Sequence, residues 1–444
     1  MRTVIVDGFR TAFCKEGTLL KDVPADFLGA LAVREMLKRM DNWNLPPTAI
    51  EYVIGSSVTE PAHAKNIAHV VSVKGGVPDW VPGHTLNHNC GSGITAVDEA
   101  RNLIEKGVYS CVLVVGVESM SRIPLLYSDV VKEDFYSLQR ARTMKEKIAI
   151  TLRLYSKLFR FWKKEYAPQV GLIMGLTDPI CDLIMGLTAE KLAKDPSLGI
   201  TREDQDRFAL RSNKLAAKAQ EIGIFKQEIA PLIIPTGKDC FYVDSDNGLR
   251  KFSKAEIFAR SKPFFDKRYG TVTPANSSQI TDGAACILLM SQSKAHTLGL
   301  PILGCVGEYN VAGFDPSRMG LSPVGAINKL LKKSGRSISN FSTIEINEAF
   351  AAQVLACLKV MSSDVLTKKF FSPYGFDKAL VEIDSNRLNP NGGAIALGHP
   401  VGVSGMRLII TALKELERRG GESALVSACI GGGQGNAMIL ERST

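Results

Sequence analysis

Three glycine-lined turns hold the side chains best able to make and break covalent bonds in this chain: Cys90 in "LNHNCGSGI", His399 in "LGHPVG" and Cys429 in "SACIGGGQG". A cysteine just before a helix has its thiolate favoured by unpaired backbone N–H groups and the helix dipole, and glycine lets a substrate reach the backbone beside it. Cys429 ends a strand-like run and meets four nearby glycines, the place where open α/β sheets hold their ligands. His399, fixed between glycine and proline, is suited to take a proton from a thiol. Together these residues point to acyl transfer through a cysteine. The competing reading of Cys90 is a turn made tight for packing alone. The histidine weighs against it, because a core histidine more often lies inside an element than in a Gly-x-Pro turn. Cys111, Cys286 and Cys357 lie in strand or helix patterns and read as inert core.

The elements that would position these turns follow from periodicity. Gly93 to Lys106 reads as a helix, with Ile94, Val97, Leu103 and Ile104 at helical spacing and Gly107 as a stop. The buried strand from Cys111 to Gly116 comes next. The far end repeats the plan: a glycine-rich turn around His399, a helix over 402–419, Gly420-Gly421, then a strand over 423–428. Turn, helix, glycine and strand thus occur twice, which suggests a duplicated α/β unit. Further helices are expected at 26–39, 209–223 and 326–334, with strands at the N-terminus, at 51–56 and at 284–289.

The composition agrees with an α/β globular chain: 444 residues, 45% hydrophobic and 22% charged, with 39 glycines. Nine dispersed cysteines without CxxC pairs argue for a reducing compartment and against a zinc site. The chain opens directly on a strand and has no run of 18 apolar residues, so neither a leader nor a membrane span is expected, and a cytoplasmic location follows. The net charge of +9 is local. Residues 140–165 contain nine Lys/Arg and two acidic residues, a net of +7, leaving +2 for the rest. That excludes a broadly basic nucleic-acid surface.

Within that basic stretch Ile148, Leu152, Tyr155, Phe159 and Trp162 recur at spacings of 4, 3, 4 and 3, with Arg153, Lys157, Arg160 and Lys164 on the other side. This is the pattern of an amphipathic helix lying on an anionic membrane surface, or of one packed against a partner subunit.

Four segments in register, "NHNCGSGITA", "INEAFAAQ", "NPNGGAIALGHPVGVSG" and "SACIGGGQGNAMILE", resemble those of the thiolases, and "IVDGFRTAF", "VVGVESMS", "MGLTAEKLA" and "GTVTPANSSQITDGAA" extend the resemblance over nearly the whole chain. It implies a thiolase fold: duplicated βαβαβαββ halves in a five-layered αβαβα core with an inserted loop domain. The implied boundaries are 1–120 plus 251–292 for the N-terminal half, 121–250 for the insert with its basic amphipathic helix, and 293–444 for the C-terminal half. The insert is longer than in most thiolases and resembles that of β subunits of the trifunctional fatty-acid oxidation complex.

Carried over by residue, the resemblance makes Cys90 the acyl-accepting nucleophile and His399 its base. Asn347, through a water, would join His399 in an oxyanion hole for the substrate thioester. Cys429 would be the second acid/base, and the N–H groups of Cys90 and Gly431 a second oxyanion hole for the acyl-enzyme. Arg250 in "DNGLR" and Ser278 in "ANSS" match positions that contact CoA, near the adenine nucleotide and the pantetheine. Glu348 would orient water or His399, or else serve structurally. CoA and acyl-CoA are the implied substrates, with no metal and no bound cofactor. The implied activity is thiolysis of 3-ketoacyl-CoA in β-oxidation. The alternatives are condensation of two acetyl-CoA, or a non-catalytic acyl-CoA- or lipid-binding scaffold. The implied partners are a second copy, as a homodimer or homotetramer, a hydratase/dehydrogenase α subunit and an anionic membrane contacted peripherally.

Overall fold

A computed structural model describes residues 2–236, 239–250 and 254–443. The main sheet is built from β1 (Thr3–Arg10), β2 (Tyr52–Ser56), β3 (Gly83–Leu86), β4 (Cys111–Glu118), β5 (Thr281–Ser291), β6 (Gly304–Gly313), β7 (Thr343–Ile346), β8 (Ser423–Ile430) and β9 (Gln434–Glu441). Their spatial order is β3–β2–β4–β5–β1–β6–β9–β8–β7. Numbered within its own half, the N-terminal set runs 3-2-4-5-1. The C-terminal set runs 2-4-5-1, with no counterpart of β3 among the described residues. In both halves the outer pairs are parallel and the inner ones antiparallel, so the duplication suggested by the turns extends to strand order. The halves meet where β1 pairs β6 over Val4↔Cys305 and Ile5↔Gly304.

The strands read as unbroken apolar runs because both faces are buried. On β4, Leu113, Val115 and Val117 face one core while Val112 and Val114 face another; β5 alternates likewise, with Cys286 and Leu288 opposite Ile287 and Leu289. The outer core of the first half is closed by α1 (Ala25–Asp41) and α2 (Ile67–Gly75). The central core holds α3 (Ser92–Glu105) and the helix Ser404–Arg419 between strands of both halves, including Val426 and Met438. The third core packs Ser322–Ser334 and Ala351–Met361 on Leu425, Ala437 and Ile439. Helix, sheet, helix pair, sheet, helix is the five-layered αβαβα arrangement.

Residues Arg122–Thr177 form a second compact unit, narrower than the 121–250 insert that the resemblance implies. Helices beyond it, such as Arg202–Glu221 with buried Phe208, Ala209 and Ser212, belong to the main unit because their apolar faces complete its core. In the second unit α4 (Asp129–Arg140) packs on α5 (Met144–Phe159). The single helix expected over 140–165 is therefore shorter. The Thr143 hydroxyl and the Glu146 carboxylate form a reciprocal capping box that starts α5, and the helix ends at Phe159, before Trp162 and Lys164.

Among the described residues no helix is long and apolar enough to cross a membrane.

Candidate active site

The nucleophile candidate and the base candidate ride on the two central helices. Cys90 lies in a 3-10 turn, Asn89–Gly91, that runs straight into α3. His399 lies five residues before the helix Ser404–Arg419, whose N-cap is Val403. The two helices cross at their first turns, glycine against glycine. A Cβ on Gly93 would stand 2.6 Å from the Met406 nitrogen, and one on Gly405 would stand 2.5 Å from the Ile94 nitrogen. Backbone closeness of this kind is available to no other residue.

Cys90 is half-buried. Burial pushes its thiol up to about 11, against the pull of the Gly431 N–H and its own N–H, both of which favour the thiolate. The thiolate-favouring groups expected at a helix start are therefore present, but burial outweighs them and the resting group is a thiol. Cys429, fully buried near the end of β8, is raised well above the usual thiol range, first by burial and then by the neighbouring Cys90 and Cys357. Its surroundings are apolar: Ala189, Val272, Ala349, Phe350 and Ala352, with Met185 beside them.

His399 is held by a relay. Its backbone N–H donates to the Gln279 carbonyl at 2.9 Å. Its Nδ1 lies 2.6 Å from Ser404 Oγ, and that hydroxyl donates to the Pro400 carbonyl at 3.0 Å. A hydroxyl whose hydrogen is so engaged accepts from the ring, so Nδ1 carries the proton and Nε2 keeps its lone pair. Burial, with a smaller push from the Arg407 cation, lowers the imidazole to about 4, so it is neutral at physiological pH. Asn347 Nδ2 lies 3.5 Å from that Nε2. Its own backbone N–H bonds the Ser427 carbonyl, two residues before Cys429. The buried Asn347 Oδ1 has no hydrogen-bond partner among the described residues, an acceptor left over for a water or a bound molecule.

Glu348 takes the structural alternative. Its carboxylate accepts from Ser212 Oγ at 2.6 Å, Asn389 Nδ2 at 2.8 Å and the Ile395 N–H at 3.3 Å, and it does not reach His399 among the described contacts. It holds the "NPNGG" loop in place.

The predicted CoA contacts meet at one loop, 273–279, which carries Ser278 and which Arg250 reaches from a separate segment. Arg250 donates to the Pro274 and Ala275 carbonyls, each at 3.0 Å, and lines a cavity of about 500 Å³ with Lys214 and Lys218. The Ser278 N–H donates to the Ala349 carbonyl at 2.9 Å, seating it against the Asn347-Glu348-Ala349 turn. Gln279, next along, is the residue that holds His399. Among the described residues no His/Cys/Asp/Glu cluster is suited to a metal ion.

Several supporting residues escaped the sequence reading. Ser404 sets the tautomer of His399. Glu118, fully buried, accepts from the N–H groups of Val58, Thr59 and Gly402 and so ties the His399 loop to the end of β2. Asp178 accepts from Gly432, in the turn after Cys429. The only signal for Ser404 was its place five residues after the histidine; the other two act across more than 250 residues of sequence and left none.

In the second unit the apolar face of the amphipathic helix is the outward one, as a helix laid on a surface requires. Arg153 and Lys157 share the buried Asp134 at 2.8 and 2.6 Å, beside the buried Leu154. The apolar stripe Met144, Ile148, Leu152, Tyr155 and Phe159 is exposed, between 56% and 76%. Trp162 is exposed too.

Two family models, "Thiolase, N-terminal domain" and "Thiolase, C-terminal domain", match residues 3–293 and 300–442. A protein of Pseudoalteromonas translucida named 3-ketoacyl-CoA thiolase is 36% identical over 441 residues, covering 99% of this chain and 97% of the relative. A protein of the same name from Pectobacterium atrosepticum matches at 36%, covering 99% and 96%. Among solved structures, human mitochondrial 3-ketoacyl-CoA thiolase in complex with CoA superposes with a TM-score of 0.81 at 32% identity, covering 100% of this chain and 98% of that one. Bacillus anthracis acetyl-CoA acetyltransferase superposes with a TM-score of 0.82 at 33% identity, covering 99% and 98%. On both sequence and structure, the chain belongs to the thiolase family.

Proposed function

We propose that this chain is a 3-ketoacyl-CoA thiolase that cleaves its substrate with CoA through an acyl-enzyme on Cys90. The observation that carries the reading is the approach of the Gly431 and Cys90 N–H groups to the Cys90 sulfur, beside a second thiol, Cys429. The Cys90 thiol gives its proton to His399 Nε2, and its sulfur attacks the 3-keto carbon. The C2–C3 bond breaks. The electron pair passes to the acetyl-CoA enolate, whose oxygen is held by His399 and, through a water, by Asn347, and whose carbon takes the Cys429 proton. CoA then loses its thiol proton to Cys429 and attacks the acyl group, whose developing oxyanion faces the Cys90 and Gly431 N–H groups. Cys90 leaves as thiolate and recovers its proton from His399. An apolar setting around Cys429 fits a group that must be a thiol when it protonates the enolate. Arg250, with Lys214 and Lys218, would meet the phosphates of CoA, and Ser278 its pantetheine.

The test is direct. Mass spectrometry after incubation with 3-ketoacyl-CoA alone should find the shortened acyl group on Cys90, with acetyl-CoA released, and CoA should then discharge it. A chain that releases no acetyl-CoA overturns the reading. The likeness to an acetyl-CoA acetyltransferase supports biosynthetic condensation as a second reading. A specificity constant much higher for acetoacetyl-CoA than for 3-ketohexadecanoyl-CoA would favour it.

The reading includes self-association as a homodimer or homotetramer, a hydratase/dehydrogenase α subunit as partner and a role in β-oxidation. It also includes peripheral contact of the second unit with an anionic membrane. The exposed stripe of α5 supports that contact, as do Lys145, Lys147, Lys163 and Lys164, exposed along and beyond it. Flotation with anionic vesicles should be lost when Leu152, Phe159 and Trp162 are changed to Ser. Equal recovery of both proteins with the vesicles rejects lipid contact. Because Arg153 and Lys157 brace Asp134, changing them tests folding of the unit and not lipid binding.

A further inference from the structure

The turn that follows Cys429 is made of Gly431, Gly432 and Gly433, the last two with φ of +90° and +75°. No side chain of its own restrains it, and a peptide group between two glycines reorients at little steric cost. Yet Gly431 must aim its N–H at the Cys90 sulfur. On one side Ile430 is fixed by its ladder pairing with Gln434. On the other side the Gly431–Gly432 peptide is gripped at both poles. Its carbonyl accepts from Asn89 Nδ2 at 3.1 Å, and its N–H donates to Asp178 Oδ2 at 2.8 Å. Asp178 is 1% exposed, and its other oxygen accepts from the N–H groups of Ile180 at 2.8 Å and Cys181 at 3.4 Å. The carboxylate therefore has one orientation available, and all its near contacts are backbone donors.

We propose that Asp178 is a positioning residue for acyl transfer: with Asn89 it clamps the Gly431–Gly432 peptide, and through it the aim of the Gly431 N–H at the reacting carbonyl. The clamp joins three distant stretches, the nucleophile's own turn through Asn89, the glycine turn, and the residue that directly follows the Arg122–Thr177 unit in sequence. Asn89 holds a φ of +47°, so its side chain is presented by a backbone conformation that few residues adopt. Asp178 and Asn89 act on opposite poles of one peptide, so loss of either frees it. Their effects should not add.

The inference rests on the roles proposed above for Cys90 and Gly431. Asp178→Ala should lower kcat by about 10- to 100-fold, below the full loss of an oxyanion-hole donor because the N–H is misaimed and not removed. KM for CoA should stay within about twofold, since Asp178 binds no part of CoA. The pH profile of Cys90 alkylation by iodoacetamide, read on the Cys90 peptide by mass spectrometry, should move to higher pH, because a thiolate that loses a donor is harder to form. Asn89→Gly, which keeps the backbone free to adopt positive φ, should shift the profile in the same direction, and the double variant should be no worse than Asp178→Ala. If Asp178→Ala does not fold, Asp178→Asn and Asn89→Gly carry the same measurements. Wild-type kcat, an unmoved alkylation profile, or additive losses in the double variant would overturn the clamp. The alkylation profile needs no substrate, so it judges the clamp even if wild-type Cys90 proves to form no acyl-enzyme, the outcome that rejects the proposed reaction instead.

Discussion

The first-half turn at Cys90 and the second-half turn at His399 are the same device in opposite surroundings. Each enters one of the two central helices, and each is followed by a buried strand. Cys90 is half-buried, with backbone N–H groups about its sulfur, whereas His399 is buried and fixed by a hydroxyl. The difference teaches that the duplicated fold supplies only the meeting point. What each residue can do is set by local burial: a thiol raised to about 11 and an imidazole lowered to about 4 form a neutral pair at rest. Charge is then created only when substrate is present, by proton transfer in step with attack.

Loss of the more exposed residue of this pair should have the largest effect. Cys90→Ala should abolish acyl-enzyme formation and lower kcat by roughly 10⁵ or more, measured by single-turnover acylation. A wild-type rate of covalent adduct would refute the assignment. Removing the buried member should cost less, about 10²- to 10⁴-fold for His399→Ala. The same residue shapes stability. Its folded pKa lies below the value of about 6.5 in the unfolded chain, so the unfolded state binds the extra proton as pH falls. The resulting loss begins below about 6.5 and reaches about 3 kcal/mol near pH 4. Urea unfolding across that range should be flatter for His399→Ala than for wild type. The meeting point itself is probed by Gly93→Ala, whose methyl would stand 2.6 Å from backbone nitrogen. It should destabilise the protein by about 1–3 kcal/mol, read as a lowered Tm, because backbone cannot step aside as a side chain can. The finest adjustment is Ser404→Ala, which leaves the Nδ1 proton without its acceptor. A loss of about tenfold in kcat with little change in KM is expected, the worth of one hydrogen bond. An unchanged kcat would show that the tautomer is set elsewhere.

The three chemical turns were legible in the sequence because reactive side chains, glycine and proline announce themselves locally. Five of the nine strands were legible too, since burial on both faces leaves runs such as Cys111 to Gly116 with no polar interruption, whereas β3, β6, β7 and β9 carry polar residues that break the pattern. What supports the turns was not. Glu118 reaches Gly402 and Asp178 reaches Gly432 through hydrogen bonds across long sequence separations, and no periodicity records such a pairing. The amphipathic pattern of α5 was legible, but not its partner on the preceding helix, the buried Asp134 that Arg153 and Lys157 share. The start of Arg202–Glu221 was placed seven residues late because its first turns are charged. There the Thr201–Asp204 capping box, not an apolar stripe, marks the beginning.

The contact of Gly93 with Gly405 has a consequence for how such a chain tolerates change. The separation of nucleophile and base is gauged first by main chain against main chain, so most side chains in the three cores around it do not set it. Leucines, valines and isoleucines there are free to drift among volume-matched alternatives without detuning the chemistry. Volume-matched variation should therefore be cheap among the apolar residues of the three cores and costly at two positions that have no side chain at all.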